Sequence, residues 1–187
     1  LSKGQLGDIN SDLLGFVIVS KIQIAALGRA NVAEDSRPDF YLYLDEFQNF
    51  TTDSIATILS EARKYRLNLN LTHQFIQQLE EPIKEAVFGN VGTIVSYRIG
   101  VDDAEYLAEQ FKPVFTEYDL LNLKRFSAVV RLLANQTPQR PFSLQAAAPP
   151  HGGDVEAREA VRSHSRMTYG RSRADVEATI LERFQVG

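Results

Sequence analysis

Two adjacent carboxylates, Asp45 and Glu46, close the apolar run Phe40-Tyr41-Leu42-Tyr43-Leu44. Residues of that type at that place suit metal-assisted phosphoryl chemistry. One acid would hold a magnesium ion through water, and its neighbour would polarise a water that attacks a terminal phosphate. The run preceding them is continuously apolar, the pattern of a parallel strand buried on both faces. Ligand chemistry in open parallel sheets lies just beyond the carboxyl ends of the strands, where Asp45 and Glu46 stand. Acids also end strands simply as caps, so the pair alone admits both readings.

Gln74 strengthens the first reading. It follows the alternating segment Leu67-Asn68-Leu69-Asn70-Leu71-Thr72, which reads as the next strand. Its amide offers both donors and an acceptor, enough to bond a γ-phosphate oxygen and the attacking water together. The plainer alternative is a loop glutamine bonded to backbone. Arg98 ends a further strand, as an arginine reaching a neighbouring subunit's nucleotide or, more commonly, as a surface residue. Arg63, Lys64 and Arg66 could contact DNA phosphates or complement the negative end of a helix. Tyr41, Tyr43, Phe47 and Phe50 read as core rather than as a base-stacking platform. No G-x-x-x-x-G-K-[ST] phosphate loop occurs in these 187 residues, and Lys3-Gly4 and Gly7 lack its spacing.

The elements that must position these residues alternate. Residues 1–10 read as a loop, and Asn10 or Ser11 is expected to cap a helix over 12–30. A polar loop leads to the strand 40–45. Thr51-Thr52-Asp53 opens a helix with Ile55, Ile58, Leu59 and Ala62 on its apolar face, closing on Arg63-Lys64-Tyr65-Arg66. After the strand 67–72 come two short helical pieces, the first stopped by Pro82. Val91–Ile99 is a strand. Asp102 and Glu105 have capping-box spacing for a helix to about 111, and Thr116 and Asp119 have it more weakly. Phe126–Ala134 is a strand, with 142–145 as a further one. Strands alternating with helices predict an α/β fold with a mostly parallel sheet. Residues 1–145 form this domain, 146–153 a linker, and 154–187 a polar tail of two helices, with Ser172/Asp175 as a cap. The tail holds no lysine, six arginines and six acids.

Composition narrows the class. A 44% hydrophobic and 24% charged chain has room for one sizeable core. The net charge of −4 gives no global basic field. The absence of cysteine excludes disulfides and thiolate metal sites, and suits a reducing compartment. His73, His151 and His164 form no ligand spacing. The most apolar stretch, Leu13 to Gly28, is interrupted by Ser20, Lys21 and Gln23 and falls short of the roughly 20 residues of a membrane span. No signal peptide is visible, and a start at Leu1 suggests a piece of a larger protein.

The ordered set YLYLDEFQNF, ILSEARKYRLNLNLTHQFIQQL and a strand ending in Tyr97-Arg98 before Asp102-Asp103-Ala104-Glu105 resembles the FtsK–HerA class of DNA-pumping ATPases. Within that class it is most similar to the coupling proteins of type IV secretion, which drive conjugative DNA transfer. The stretch LSKGQLGDINSDLLG, with a helix ending in Gly28-Arg29, also resembles what precedes the Walker B strand there. The resemblance covers about residues 1–145.

It implies a RecA-like, hexameric motor using ATP and magnesium, with nucleotide bound between subunits. By matching motif, Asp45 and Glu46 correspond to the Walker B acids, with Asp45 holding the metal through water. Gln74 corresponds to the sensor glutamine and Arg98 to a trans-acting arginine. In this family the phosphate-loop strand lies between the sensor strand and the strand that here carries Tyr97-Arg98, so a chain without it is expected to have a gap in its sheet. The implied partners are DNA, further copies of the chain, and secretion-channel or relaxosome proteins, with no membrane contact from this segment. The implied location is cytoplasmic, at the inner membrane through an anchor outside these residues. Two alternatives stay open. One is another motor of the class, for chromosome pumping or DNA end processing. The other is an interaction module that kept the fold without hydrolysis.

Overall fold

The computed structural model describes residues 3–50, 53–148 and 152–185. Thr51 and Thr52 of the expected helix start, and Pro149, Pro150 and His151 of the expected linker, lie outside the described residues. The chain divides into two compact units, 1–146 and 147–187. The first runs α1 (Lys3–Leu6), α2 (Asp8–Leu27), β1 (Phe40–Leu44), α3 (Asp53–Glu61), β2 (Leu67–Leu71), α4 (Glu81–Asn90), β3 (Ile94–Ser96), α5 (Val101–Phe111), α6 (Glu117–Leu121), β4 (Ser127–Arg131), β5 (Leu133–Ala134), β6 (Thr137–Pro138) and β7 (Phe142–Gln145). The second holds α7 (Val155–Tyr169) and α8 (Arg173–Gln185).

The strands form three sheets. β1 and β2 pair in parallel, with Leu42 beside Leu69 and Leu44 beside Leu71. β3, β4 and β7 form an antiparallel sheet in that order, and β5–β6 is a separate hairpin. Asn135 and Gln136, both at positive φ, make the two-residue turn of that hairpin. The fold is α/β, but parallel pairing is confined to β1–β2. Short returns such as the one through β5–β6 bring the later strands back antiparallel, which parallel neighbours do not allow. Among the described strands β2 bonds only to β1, and β3 only to β4 and not to β2. β2 and β3 therefore stand in separate sheets, with no hydrogen bond between them.

Each of the two larger sheets has its own core. Leu42, Leu44, Leu67 and Leu69 pack against Val19, Ile22 and Ala26 of α2 and against Ile58, Leu59 and Ala62. The opposite face carries Tyr41, 59% exposed, and Tyr43, 73% exposed. The apolar run of β1 predicts burial on both faces, and the structure buries one. Nothing among the described elements packs over the tyrosines. The antiparallel sheet contributes Ile94 and Val129 to a cluster with Ala104, Leu107, Ala108 and Phe111 of α5, Leu120 of α6, and Ile76. Val129 and Phe111 are fully buried.

Several helix starts differ from their local signals. α2 begins at Asp8 behind Gly7, without a side-chain cap, so neither Asn10 nor Ser11 caps it, and residues 3–6 and 8–10 are helical rather than a loop. Ser11 is buried instead, and its N–H donates to the Gly7 carbonyl at 3.1 Å. The helical turns from Asp8 through Asn31 are long and apolar enough, by length and composition, to cross a membrane. This corrects the shorter stretch read from the sequence. In the structure, one face of this helix packs on β1–β2 through Val19 and Ala26.

The Asp102/Glu105 box does not form. α5 starts behind Gly100, and the Asp103 carboxylate is buried and accepts the Ile76 N–H at 3.1 Å. The Thr116/Asp119 box does form at α6. Asp119 accepts the Thr116 N–H at 2.8 Å, and this bond and the Thr116 hydroxyl hold its carboxyl below the usual carboxylate range. In the second unit, Asp154 caps α7 by accepting the Ala157 N–H at 3.0 Å, and the Ser172 hydroxyl accepts the Asp175 N–H at 3.1 Å before α8.

Candidate functional site

The carboxyl ends of β1 and β2 lie side by side because the two strands are parallel and in register. Asp45 follows Leu44, and Thr72 follows Leu71, so the next pair across the ladder is acid against hydroxyl. Thr72 donates its hydroxyl to Asp45 Oδ1. Its N–H donates to the Leu44 carbonyl at 2.9 Å, and the Phe47 N–H returns to the Thr72 carbonyl at 3.0 Å. Asp45 is exposed, so its carboxylate is open to a hydrated cation.

Glu46 is half-buried and sits at φ +51°, a left-handed conformation rare for a residue with a Cβ. Such a residue costs on the order of 1 kcal/mol and persists where neighbours over-determine it. Phe47 is the neighbour that does so. It is fully buried and packs with Leu79, Ile83 and Val87. Its ring also meets His73 edge-on, with centroids 5.3 Å apart. With Phe47 sunk into the core, the chain turns sharply at Glu46 and aims its carboxylate back over the end of β2. There Gln74 donates its Nε2 to Glu46 Oε1 at 2.5 Å. Gln48, in the 3-10 turn after Glu46, donates its Nε2 to Oε2 at 2.7 Å. Burial pushes the His73 imidazole below its ordinary value, against the opposing pull of the Asp103 and Glu46 charges.

The structure therefore brings Asp45, Glu46 and Gln74 together. Arg98 lies elsewhere. It is exposed, two residues past β3, in the sheet that has no hydrogen bond to β1–β2. Arg63, Lys64 and Arg66 belong to the opposite end of the strands. Lys64 pairs with Glu61 at 3.7 Å, and Arg66 with Asp39 at 3.6 Å. At that end Arg29 donates to the carbonyls of Pro38 and Tyr65, at 3.0 and 2.8 Å. Arg37 donates to those of Arg29, Val32 and Lys64. These guanidinium groups satisfy loop carbonyls at the inlet of β1. Thr72 and Gln48 carry no local sequence signal for these roles; continuing the parallel register past Leu44 and Leu71 sets Thr72 opposite Asp45.

Among the described residues no group of three or more His, Asp or Glu side chains could hold a metal ion. A single exposed carboxylate still fits magnesium, which keeps several waters and is often bound by one or two carboxylates plus substrate phosphates.

Residues 39–111 match the family model described as the TraM recognition site of TraD and TraG. No curated protein matches the chain. Among solved structures, the unbound bacterial conjugative coupling protein TrwBΔN70 superposes with a TM-score of 0.58 at 16% identity, over 72% of this chain and 37% of that one. TrwB in complex with the non-hydrolysable ATP analogue ADPNP gives 0.56 at 16% identity, over 72% and 36%. The genome packaging NTPase B204 from Sulfolobus turreted icosahedral virus 2, in complex with AMPPCP, gives 0.48 at 16%, over 68% and 59%. The chain thus spans little more than a third of the length of the coupling protein it superposes on. The segment from the inlet of β1 to the end of α5 carries the TraD/TraG family pattern, and the chain shares the fold of part of TrwB, in keeping with the resemblance to conjugative coupling proteins.

Proposed function

We propose that this chain is the Walker B and sensor part of an ATP-hydrolysing, DNA-translocating motor of the conjugative coupling type. The observation that carries the reading is the Gln74–Glu46 hydrogen bond at the joint carboxyl end of two parallel strands, beside Asp45. An acid pair that merely capped β1 would not need a glutamine from the next strand. In this reading Asp45, oriented by Thr72, holds a water-bound magnesium ion. Glu46 accepts the proton of the attacking water, and Gln74 positions that water against the terminal phosphate. Magnesium would supply charge neutralisation on the phosphate oxygens.

The nucleotide needs a phosphate loop that these 187 residues do not contain. Two features support its arrival from another segment of the same protein. The β2 edge has no hydrogen-bonded neighbour among the described strands other than β1, and Tyr41 and Tyr43 of β1 are exposed. One inserted parallel strand, with a helix behind it, would answer both. The description of the family matched over 39–111 further supports docking of a relaxosome protein on this segment. DNA contact, assembly into a hexamer and a trans-acting role for Arg98 belong to the same proposal and rest on the resemblance.

Nucleotide binding tests the reading. The 187-residue chain should bind ATP negligibly, and the natural full-length product should bind it through a phosphate loop encoded upstream. An open reading frame that starts near Leu1 would sink the motor reading for this polypeptide. In the full-length protein, Glu46→Gln should cut hydrolysis by about 100- to 10,000-fold while sparing nucleotide binding. Wild-type turnover in that variant removes Glu46 from the role of base.

A further inference from the structure

Both oxygens of the Glu46 carboxylate are engaged, one by Gln74 and the other by Gln48. The two amides come from different places. Gln74 stands on the exposed exit loop of β2, on the side where a phosphate would lie if Asp45 holds the metal. Gln48 is half-buried, one residue beyond the fully buried Phe47, in a 3-10 turn closed by the Asn49 N–H on the Glu46 carbonyl at 3.0 Å. Gln74 is free to turn toward a ligand without disturbing the core. Gln48 is held by its place on the Phe47 anchor and cannot follow.

We propose that Gln48 is a positioning residue for Glu46. It keeps the carboxylate aimed while Gln74 leaves it for the nucleotide. The proposal rests on the assignment of Glu46 as base and adds a division of labour between two glutamines. A carboxylate has about four lone-pair sites, so one bond from Gln48 leaves room to accept the water's proton. The left-handed backbone at Glu46 makes the need concrete. A strained residue on a turn has few other restraints on its side chain, and loss of the amide would let the carboxylate swing away. Misplacement of about 1 Å at a reacting group can reduce rates by about 100-fold.

The test uses the natural full-length protein. Gln48→Met keeps side-chain length and removes the amide, Gln48→Ala removes both, and Gln48→Glu sets a second carboxylate against the first. The expected result is a fall in kcat of roughly 10- to 100-fold for Gln48→Met and Gln48→Ala, with KM for ATP changed by less than about 2-fold and a larger loss for Gln48→Glu. Gln48→Met should also be without further effect on the residual single-turnover rate of Glu46→Gln, because a positioning residue acts only through what it positions. Equal losses in both backgrounds, or a rise in KM alone, would overturn the proposal, as would wild-type kcat in Gln48→Met and Gln48→Ala. If Glu46→Gln itself turns over normally, the base assignment fails first. If Glu46→Gln is dead and the Gln48 variants are normal, only the present inference fails.

Discussion

The two main sheets of the first unit are built from similar material and differ in how deeply their cores are buried. The antiparallel sheet β3–β4–β7 buries Val129 completely and gathers α5 and α6 around Phe111 and Leu120. The parallel pair β1–β2 buries one face under α2 and α3 and leaves Tyr41 and Tyr43 exposed. The first sheet makes its own core from neighbours in sequence. The second carries the candidate chemistry; both sheets have open edges and exposed apolar side chains, Val95, Phe142 and Leu144 on the first and Tyr41 and Tyr43 on the second. Chemistry at the carboxyl end of parallel strands requires the strands to be side by side, and parallel strands need long crossovers and cover on both faces. A parallel pair with one packed face exposes the side chains that cover on the other face would bury.

The comparison can be broken at several points. The largest effect expected is on catalysis in the full-length protein. Glu46→Gln should lower kcat by about 100- to 10,000-fold with nucleotide affinity retained, measured by steady-state hydrolysis and direct binding. Next comes the contrast in stability within the 187-residue chain. Phe111→Ala, in the antiparallel core, should cost about 3–5 kcal/mol in a denaturant titration. Tyr43→Ala, on the uncovered face, should stay within about 0.5 kcal/mol. A loss of several kcal/mol at Tyr43 would mean that this face is covered already. Third, Thr116→Ala should cost about 1 kcal/mol through the lost capping box of α6, and Asp102→Ala close to nothing, since its box does not form.

The smallest effect is a pH dependence. Burial lowers the folded-state pKa of His73 below its unfolded value. The unfolded chain then binds the extra proton between the two, so stability is fully present above the unfolded value near 6.5 and declines as pH falls toward the folded one. Thermal midpoints should therefore drop modestly between pH 7.5 and pH 5.5, and His73→Gln should flatten that slope. An unchanged slope would place the titration elsewhere. Asp119 acts in the same direction at lower pH. Its folded pKa is depressed, so its stabilising contribution is present above 3.8 and lost as pH falls through the folded value.

What was legible in the sequence follows the range of the interactions. Asp45, Glu46 and Gln74 could be read because strand ends and their order are local patterns, and parallel pairing then brings them together. The Thr116/Asp119 box formed because its parts lie within one turn. The Asp102/Glu105 box has the same spacing and did not form, because Asp103 was drawn to the Ile76 N–H from another element and the helix started at Val101. Tertiary demand decided what a local rule left open. Gln48 was hidden for a similar reason. Its role depends on Phe47 being buried, and the aromatic cluster at 41, 43, 47 and 50 read as uniformly core. In the structure Phe47 is fully buried and Tyr43 is 73% exposed.

The helix α2 has a consequence for the behaviour of the chain in solution. One of its faces holds β1–β2, and another displays Ile9, Leu13, Val17 and Ile24 to water along its length. Contiguous apolar surface of that kind is adhesive. The colloidal state of the isolated chain is therefore set by concentration and salt as much as by folding, and dilute, low-salt solutions are the regime in which its single-molecule properties can be measured.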